Sequence, residues 1–231
     1  MKEYQKIKNV FLQNAKTKQI VGFAEPFNSL QDINWIGTEQ IDGINIQIHW
    51  DGFVVKTVDQ NSNTVIPKEL AKLLHTMFEC KEMEYVFENV FGKKEVLLYG
   101  EGYGGKIQKG KEYSITPNFI LFDIMVNGVM LRREEVLNAA TKLGIKCVPI
   151  VFRGTLREAA NFIKGHPVST LGSGKHEMEG LILQPNCENL YLLNNNNTYE
   201  TIKCKCSYAG ILRDVTKFKK DSMFFKKKPL W

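Results

Sequence analysis

A short polar loop carries the first group of side chains that could do chemistry. It reads Glu39-Gln40-Ile41-Asp42-Gly43-Ile44-Asn45. Asp42-Gly43 is a turn signal, and the apolar residues that alternate from Ile44 to Ile48 predict a strand after it. The loop therefore presents two carboxylates and two amides at the start of an antiparallel hairpin.

Further charged residues stand in or beside predicted strands later in the chain. Glu101 lies between two glycines, which let a backbone turn sharply or approach a ligand closely. Asp123 interrupts the apolar strand 119–126, and a carboxylate that faces inward there must be paired or must bind a cation. Lys203 and Lys205 alternate along another short strand, close to the C-terminal end.

These residues belong to five short segments that resemble motifs I, III, IIIa, IV and V of the covalent nucleotidyltransferases. That superfamily contains the ATP-dependent RNA and DNA ligases and the mRNA capping enzymes. The resemblance spans roughly residues 35 to 206 and is greatest to bacteriophage-type RNA ligases, whose third motif also has Gly-Glu followed by Tyr-Gly. Each segment alone is weak evidence for the superfamily, but five such segments in a fixed order are specific evidence for it. The segments are Glu39-Gln40-Ile41-Asp42-Gly43-Ile44-Asn45, Tyr99-Gly100-Glu101-Gly102-Tyr103-Gly104, Phe119-Ile120-Leu121-Phe122-Asp123-Ile124, Glu179-Gly180-Leu181-Ile182-Leu183 and Ile202-Lys203-Cys204-Lys205.

The resemblance implies a ligase that uses ATP with Mg²⁺ or Mn²⁺. A lysine at the position of Gln40 would attack the α-phosphate of ATP, the adenylate would pass to an RNA 5′-phosphate, and a 3′-hydroxyl would displace AMP. A free lysine is almost wholly protonated near neutral pH, so the attack needs cations that lower its pKa. The resemblance implies that Lys203 and Lys205 contact the α-phosphate and stabilise its developing charge.

The resemblance also implies metal ligands and nucleotide contacts. Glu101, Asp123 and Glu179 would bind the divalent cation, directly or through water. Apart from the family motifs, Lys106 and Lys109 lie in a glycine-rich segment that resembles a phosphate cradle only loosely, and we assign them to the nucleic-acid face. The other nucleotide-binding positions would be Glu39 near the adenine, Asp42, Gly43 and Asn45 in the loop, Phe122 stacked on the purine, and Lys56 on the next strand, with Gln60 in its place if the register differs.

Gln40 is the main departure from this family. A carboxamide nitrogen is delocalised and not nucleophilic, so the chain as written should not form the covalent adenylate, although ATP should still fit. Two explanations stay open. One is an engineered replacement of lysine in an RNA ligase, which we favour because the other motifs keep their useful residues. The other is a natural pseudoenzyme that binds nucleotide or RNA. A ligase of nicked DNA is a further alternative.

The overall charge suits a polyanionic partner without establishing one. The 231 residues carry a formal charge of +6, and lysines interleaved with aromatic residues crowd residues 217–231. Such a tail could follow phosphates while its rings stack on bases, or it could be a solvated end.

The five cysteines have no paired spacing, and no stretch reads as a signal peptide or membrane span. We therefore expect a monomeric cytoplasmic protein, in the host cytoplasm if it is viral, with no membrane contact.

The elements that must position these residues are strands with helices between them. Asp51-Gly52 predicts a tight hairpin between strands 44–50 and 53–57. Apolar spacing predicts helices over 67–91 and 132–143, and Thr155 with Glu158 predicts a capping box that opens a further helix. The pattern favours an α+β nucleotidyltransferase domain, ATP-grasp-like, with antiparallel sheets and flanking helices.

We expect that domain to occupy residues 1–206. Residues 207–231 would form a short basic extension, which is too few residues for the oligonucleotide-binding barrel of DNA ligases and capping enzymes.

Overall fold

The protein is an α+β structure, as the sequence predicts. The computed structural model describes residues 4–17, 19–58, 66–108, 110–172, 176–187, 190–193 and 199–208. The strands in that part of the chain are β1 (Lys8–Asn9), β2 (Phe11–Gln13), β3 (Ile20–Phe23), β4 (Trp35–Glu39), β5 (Ile44–Trp50), β6 (Val55–Val58), β7 (Val96–Tyr103), β8 (Asn118–Val126), β9 (Val129–Met130), β10 (Ile150–Gly154), β11 (Leu181–Pro185), β12 (Tyr191–Leu193), β13 (Tyr199–Thr201) and β14 (Cys204–Cys206). The α-helices there are α1 (Lys68–Phe78), α2 (Lys81–Phe91), α3 (Arg133–Leu143) and α4 (Leu156–Lys164).

The described residues form two compact units. Unit 1 takes those within 1–5, 41–148 and 171–175, and unit 2 takes those within 6–40, 149–170 and 176–231. The chain therefore leaves unit 2 and enters unit 1 directly after Gln40. Most of the predicted basic extension, residues 209–231, lies outside the described residues.

Unit 1 is built on a five-stranded antiparallel sheet in the order β6-β5-β7-β8-β9. Because side chains alternate along a strand, the apolar residues of β5, β7 and β8 share one face, which packs against α1, α2 and α3. Trp50, Leu70, Phe78, Phe87 and Leu98 are at most 1% exposed in this core. Burying each such side chain stabilises the fold by about 1.5–3 kcal/mol. The other face holds polar residues beside a smaller apolar cluster of Leu97, Tyr99 and Met125.

The predicted helix 67–91 is two helices, and the single-helix prediction was wrong. The chain breaks at Glu79, whose side chain accepts hydrogen bonds from the N–H of Thr57 at 2.9 Å and pairs with Nδ1 of His75 at 2.8 Å. Cys80 is then extended, with φ −136° and ψ 157°. Gly92, with φ 63°, ends α2 directly after residue 91, the predicted end of the helical stretch.

The hairpin between β5 and β6 has a longer loop than the two residues predicted. The Asp51 carboxylate accepts the N–H groups of Phe53 and Val54 at 2.9 and 2.8 Å. These local hydrogen bonds keep both residues out of the strand ladder, so β6 begins at Val55 and not at Phe53.

Unit 2 is built on a second five-stranded sheet in the order β1-β14-β11-β4-β10. Of the described strands in it, β1 alone pairs in parallel, with β14. Trp35, Leu183 and Cys204 are fully buried in its core beside Leu156 of α4. The predicted capping box at the start of α4 is present, since Thr155 and Glu158 bond reciprocally. The predicted strand 201–205 is split, because β13 ends before β14 begins.

In the described part of the chain, no helix has the length and apolar character needed to cross a membrane.

Candidate functional site

The polar face of the unit 1 sheet brings several predicted residues together. Asn45 on β5 lies directly opposite Glu101 on β7. Two residue pairs further along, Tyr99 lies between Gln47 on β5 and Asp123 on β8. Because strand side chains alternate, all five residues lie on the face opposite the helix-packed core. The sequence predicted three of them, and nothing in it singled out Gln47 or Tyr99.

Glu101 is the least satisfied carboxylate of this face. Among the described residues it has no hydrogen bond or ion pair. Burial, and then the nearby carboxylate of Asp42, raise the pKa of Glu101 to about 8. Gly43 makes the close approach possible, since a Cβ atom there would lie 2.4 Å from the Gly102 carbonyl oxygen and 2.9 Å from Cγ of Glu101. Three of the predicted loop residues, Asp42, Gly43 and Asn45, therefore lie beside Glu101.

The oxygen donors around Glu101 fit a divalent cation. The side-chain oxygen Oδ1 of Asn45 is buried and accepts no hydrogen bond from the described residues. Mg²⁺ commonly uses one or two carboxylates together with water and phosphate oxygens. Glu101, Asp42 and Asn45 offer two carboxylates and an amide oxygen for that purpose. Over the described ranges, no group of three His, Cys, Asp or Glu side chains is placed to hold a metal unaided.

Asp123 has a different environment, which includes a residue that the sequence did not single out. The hydroxyl of Tyr4 donates a hydrogen bond to Oδ2 of Asp123, which is 4% exposed. The Tyr4 ring lies 4.8 Å from the Tyr99 ring and 5.2 Å from the Phe122 ring, centroid to centroid. Burial, and then Asp123, raise the pKa of Tyr4 well above its usual value. Burial raises the pKa of Tyr99 to about 12.

The basic residues predicted for unit 1 are at its surface. Lys56 lies on β6 opposite His49, and its side chain is exposed. Lys106 is also exposed, in the loop after β7. Gln60 and Lys109 lie outside the described residues.

Gln40, the position of the missing nucleophile, lies directly after β4 in unit 2. Its N–H donates to the carbonyl oxygen of Gly180 at 2.9 Å, which continues the pairing of β4 with β11 by one residue. Its side-chain oxygen Oε1 is buried and accepts no hydrogen bond from the described residues. A Cβ atom at Gly180 would lie 3.1 Å from that oxygen, so the glycine leaves room for the side chain at position 40.

The two predicted phosphate-binding lysines are at the neighbouring strand β14. Lys205 pairs with Ile182 of β11, which also pairs with Thr38 of β4. Since Cys204 and Cys206 are fully buried in the core, alternation directs Lys205 to the opposite face of the sheet. Lys203 is 8% exposed and directly precedes β14.

Glu179 and Glu39 complete the predicted residues of unit 2. Glu179 is half-buried just before β11, and its carbonyl oxygen accepts a hydrogen bond from the Ser207 hydroxyl. Glu39 is 1% exposed, and both of its carboxylate oxygens are already hydrogen-bonded. Ser169 Oγ donates to Oε1 at 2.5 Å, while the N–H and Oγ1 of Thr170 donate to Oε2 at 2.9 and 2.5 Å. Ser169 and Thr170 were not predicted from the sequence.

Known proteins with this fold include RNA ligase structures. An arginine-to-alanine variant of Naegleria gruberi RNA ligase, solved with ATP and Mn, has 15% identity and a TM-score of 0.63, over 93% of this chain and 58% of that one. A lysine-to-alanine variant, also with ATP and Mn, has 14% identity and a TM-score of 0.63, over 91% and 58%. A second lysine-to-alanine variant with ATP and Mn has 17% identity and a TM-score of 0.58, over 81% and 53%.

This chain thus spans little more than half the length of those ligases, and identity this low establishes the likeness of the fold alone. No curated protein matches the sequence. A family model described as RNA ligase does match, over residues 33–205. That range contains all five motif segments. It nearly coincides with residues 35 to 206, over which the sequence shows the resemblance. Because it covers most of the 231 residues, the chain belongs to the RNA ligase family.

Proposed function

We propose that this chain is an ATP-dependent RNA ligase in which glutamine replaces the nucleophilic lysine at position 40. The observation that carries the proposal is the setting of Gln40 at the end of β4. The residue is bonded through its main chain to Gly180, in a sheet whose strand β14 holds Lys205. The RNA ligase family supports a nucleotidyl-transfer reaction at that position.

In the lysine form, the reaction would begin when the neutral Nζ at position 40 attacks the α-phosphorus of ATP. A phosphoramidate bond forms, the bond to the β-phosphate oxygen breaks, and pyrophosphate leaves. Lys203 and Lys205 would stabilise the charge on the α-phosphate oxygens, and their positive charge would lower the pKa of the attacking amine. The adenylate would then pass to an RNA 5′-phosphate, and a 3′-hydroxyl would displace AMP to seal the strand.

Unit 1 would contribute nucleotide and cation ligands. Glu101 and Asn45 have the unsatisfied oxygens that suit a divalent cation, and Asp42 adds a second carboxylate. A bound Mg²⁺ or Mn²⁺ would neutralise phosphate charge. Phe122 would stack on the purine and Lys56 would contact phosphate. Naegleria gruberi RNA ligase was solved with ATP and Mn, which supports the choice of nucleotide and of a divalent cation.

Residues of unit 2 complete the proposed set. Glu179 would bind metal, directly or through water, and Glu39 would lie near the adenine. We further propose that the protein acts as a monomer on RNA ends in the cytoplasm, in an RNA-repair role of the bacteriophage type.

The decisive experiment restores the nucleophile. Gln40→Lys protein is incubated with ATP labelled at the α-phosphate and with Mg²⁺ or Mn²⁺, then denatured and separated on a gel. We expect label on the Gln40→Lys chain and none on the unaltered chain. Gln40→Arg serves as the matched control, because it restores a positive charge without an amine that can be deprotonated. If the lysine form stays unlabelled, the ligase proposal fails.

A second candidate function is noncovalent binding of nucleotide or RNA without ligation. Gln40 itself favours it, since its buried oxygen has no hydrogen bond from the described residues and would be satisfied by a ligand donor. Titration of the unaltered chain with ATP and GTP measures nucleotide binding. If the Gln40→Lys chain binds ATP without ever becoming labelled, this candidate replaces the ligase.

A comparison of nicked substrates distinguishes RNA from DNA as the preferred nucleic acid. In the Gln40→Lys chain, sealing of matched nicks with RNA or DNA on the 3′-hydroxyl side separates the two. We expect RNA to be sealed faster, and equal or faster sealing of DNA would make the protein a DNA-nick ligase.

A further inference from the structure

Strand β8 has a bulge at Phe122, next to the carboxylate of Asp123. Two consecutive residues of β7 lie opposite Asp123 and Leu121, so Phe122 between them has no partner in that strand pair. Leu121 and Ile124 lie in the helix-packed core, while the half-buried Phe122 packs against the apolar cluster on the other face. An extra residue of this kind changes the direction of the side chains around it.

The bulge allows Phe122 and Asp123 to lie on the same face of the sheet. Adjacent side chains in a regular strand point to opposite faces, so only one of the two could otherwise lie there. The proposed function uses the ring of Phe122 to stack on the purine, which requires this face. Whatever holds the bulge in place therefore also directs that ring.

Arg133, at the start of α3, is bonded to the bulge. Its Nη1 donates to the carbonyl oxygen of Phe122 at 2.8 Å. Its Nη2 donates to the carbonyl oxygen of Val148 and lies 3.0 Å from Sγ of Cys147. One guanidinium group thus joins the bulge of β8 to the segment that follows α3.

That segment already pairs with β8 on the near side of the bulge. The N–H of Leu121 donates to the carbonyl oxygen of Lys146 at 2.8 Å, and the N–H of Val148 donates to the carbonyl oxygen of Leu121 at 2.9 Å. Arg133 extends this attachment by one residue, across Phe122 itself. The extra residue is therefore fixed on the side away from β7.

The burial of Arg133 shows that its charge is not there for packing. The residue is 5% exposed, forms no ion pair with a carboxylate in the described part of the chain, and leaves its Nε without an acceptor there. Burial of a charge without a counter-charge is unfavourable, and an apolar side chain would fill the space without that cost. A planar guanidinium, however, can donate to two carbonyl oxygens at once, which a lysine ammonium on its flexible stem does less well.

We propose that Arg133 is a positioning residue, which fastens the bulge of β8 and so holds the ring of Phe122 for the nucleotide. The inference rests on the proposed function, because that function supplies the purine. Arg133 acts through the carbonyl group of Phe122 and does not contact the nucleotide itself.

Hydrogen–deuterium exchange of the unaltered chain and its variants tests the attachment without any ligand. Arg133→Met keeps an unbranched apolar side chain and removes every donor. We expect the N–H groups of residues 119–126 to exchange at least about tenfold faster in Arg133→Met, while those of β5 keep their rates. Unchanged exchange in β8, or an equal rise throughout the sheet, would overturn the attachment.

The matched control is Arg132→Met, which makes the same substitution at the preceding arginine. Arg132 is exposed and pairs with Glu135 at 3.6 Å. Exchange in β8 should stay within about twofold of the unaltered chain. If Arg133→Met does not fold, Arg133→Lys takes its place in each experiment, because it keeps the charge and loses the paired donors.

Noncovalent ATP binding tests the positioning role. In titrations well below the melting temperature of every variant, Arg133→Met should weaken ATP binding at least about fivefold. Phe122→Leu removes the ring and keeps an apolar side chain. Because Arg133 acts through Phe122, adding Arg133→Met to Phe122→Leu should weaken binding by no more than about a further twofold. A full loss in that background, or unchanged affinity in Arg133→Met alone, would overturn the positioning role.

These results can be told apart from a failure of the ligase proposal. A Gln40→Lys chain that binds ATP and never becomes labelled overturns the ligase, whereas exchange and ATP titration still decide the role of Arg133. If the unaltered chain binds no ATP, the positioning role is overturned, whatever the exchange rates of β8.

Discussion

At the scale of single residues, the role of a carboxylate in this protein depends on the donors around it. Glu39 accepts three hydrogen bonds, from Ser169 and Thr170, within unit 2. Tyr4 donates a hydrogen bond to Asp123, whereas Glu101 accepts none from the described residues. A carboxylate with several donors stabilises the fold, whereas one without donors is the group that a ligand cation can satisfy.

The first prediction concerns the pH dependence of stability. The pKa of Glu101 is raised from 4.5 to about 8 by burial and by Asp42. Between these values the folded protein holds a proton that the unfolded chain has lost, so the free energy of unfolding should fall as pH rises through this window. Glu101→Gln should remove that fall. Urea unfolding between about pH 5 and about pH 9 measures it, with Glu88→Gln, which removes an exposed carboxylate from α2, as the control. An unchanged slope in Glu101→Gln would contradict the assignment of the pKa.

The second prediction concerns the donors to Glu39. Thr170→Val keeps the N–H that reaches the carboxylate and removes the Oγ1 donor. Because hydrogen bonds to charged groups are strong, the free energy of unfolding should fall by about 1.5–3 kcal/mol. Denaturant unfolding is the measurement. Thr116→Val, at an exposed threonine in unit 1, should change it by less than about 0.5 kcal/mol.

At the scale of elements, the fold positions its polar residues by strand alternation and close backbone approach. The β5–β7 pair buries Ile46 and Ile48 on one face and presents Asn45 and Gln47 on the other. Gly43 then allows the start of β5 to lie against Gly102. Small residues at this point keep the strands close enough for Asn45 to face Glu101.

The third prediction tests whether β5 and β7 must lie this close together at Gly43. In Gly43→Ala, the added Cβ would lie 2.4 Å from a backbone oxygen, so β5 and β7 must separate locally. In the Gln40→Lys background we expect the rate of adenylate formation to fall at least about tenfold, since a displacement near 1 Å is costly in a catalytic site. Gly165→Ala, at a glycine with φ −74°, should have little effect. A Gly43→Ala chain with full activity would refute the requirement for close strands.

The sequence could predict those parts of the site that depend on local pattern. Alternating residues located β5, and the Thr155 and Glu158 spacing located the start of α4. At the break between α1 and α2, Glu79 accepts a hydrogen bond from Thr57, which is distant in sequence, and helical periodicity alone could not reveal that contact. Likewise, Tyr4 lies 119 positions from Asp123, and only the folded chain brings the two together.

At the scale of the whole molecule, the dominant feature is the basic charge and its uneven distribution. The chain carries +6, with six lysines within residues 217–231. A polyanion bound by lysines releases its condensed counterions, so the affinity should depend on salt concentration. The sequence alone supports this inference, since those residues lie outside the described ranges.

The fourth prediction measures that contribution. Replacing the six tail lysines by glutamine should weaken RNA binding and flatten its dependence on salt, by up to about 0.7 in the log–log slope for each phosphate that is no longer neutralised. Fluorescence anisotropy with a labelled RNA, at several salt concentrations, gives both quantities. The same replacement at Lys68, Lys72 and Lys81, all exposed on α1 and α2, is the control and should have a smaller effect per lysine. Equal effects would mean that the tail has no special role.

The hydrogen bond from the main chain of Gln40 to Gly180 bears on how this gene can evolve. Because the backbone at position 40 is secured independently of its side chain, the residue there can change without loss of the surrounding strand pairing. Glutamine and lysine codons differ only in their first base. A single C-to-A transversion, or its reversal, would therefore suffice to add or remove the side-chain amine at position 40 within one gene lineage.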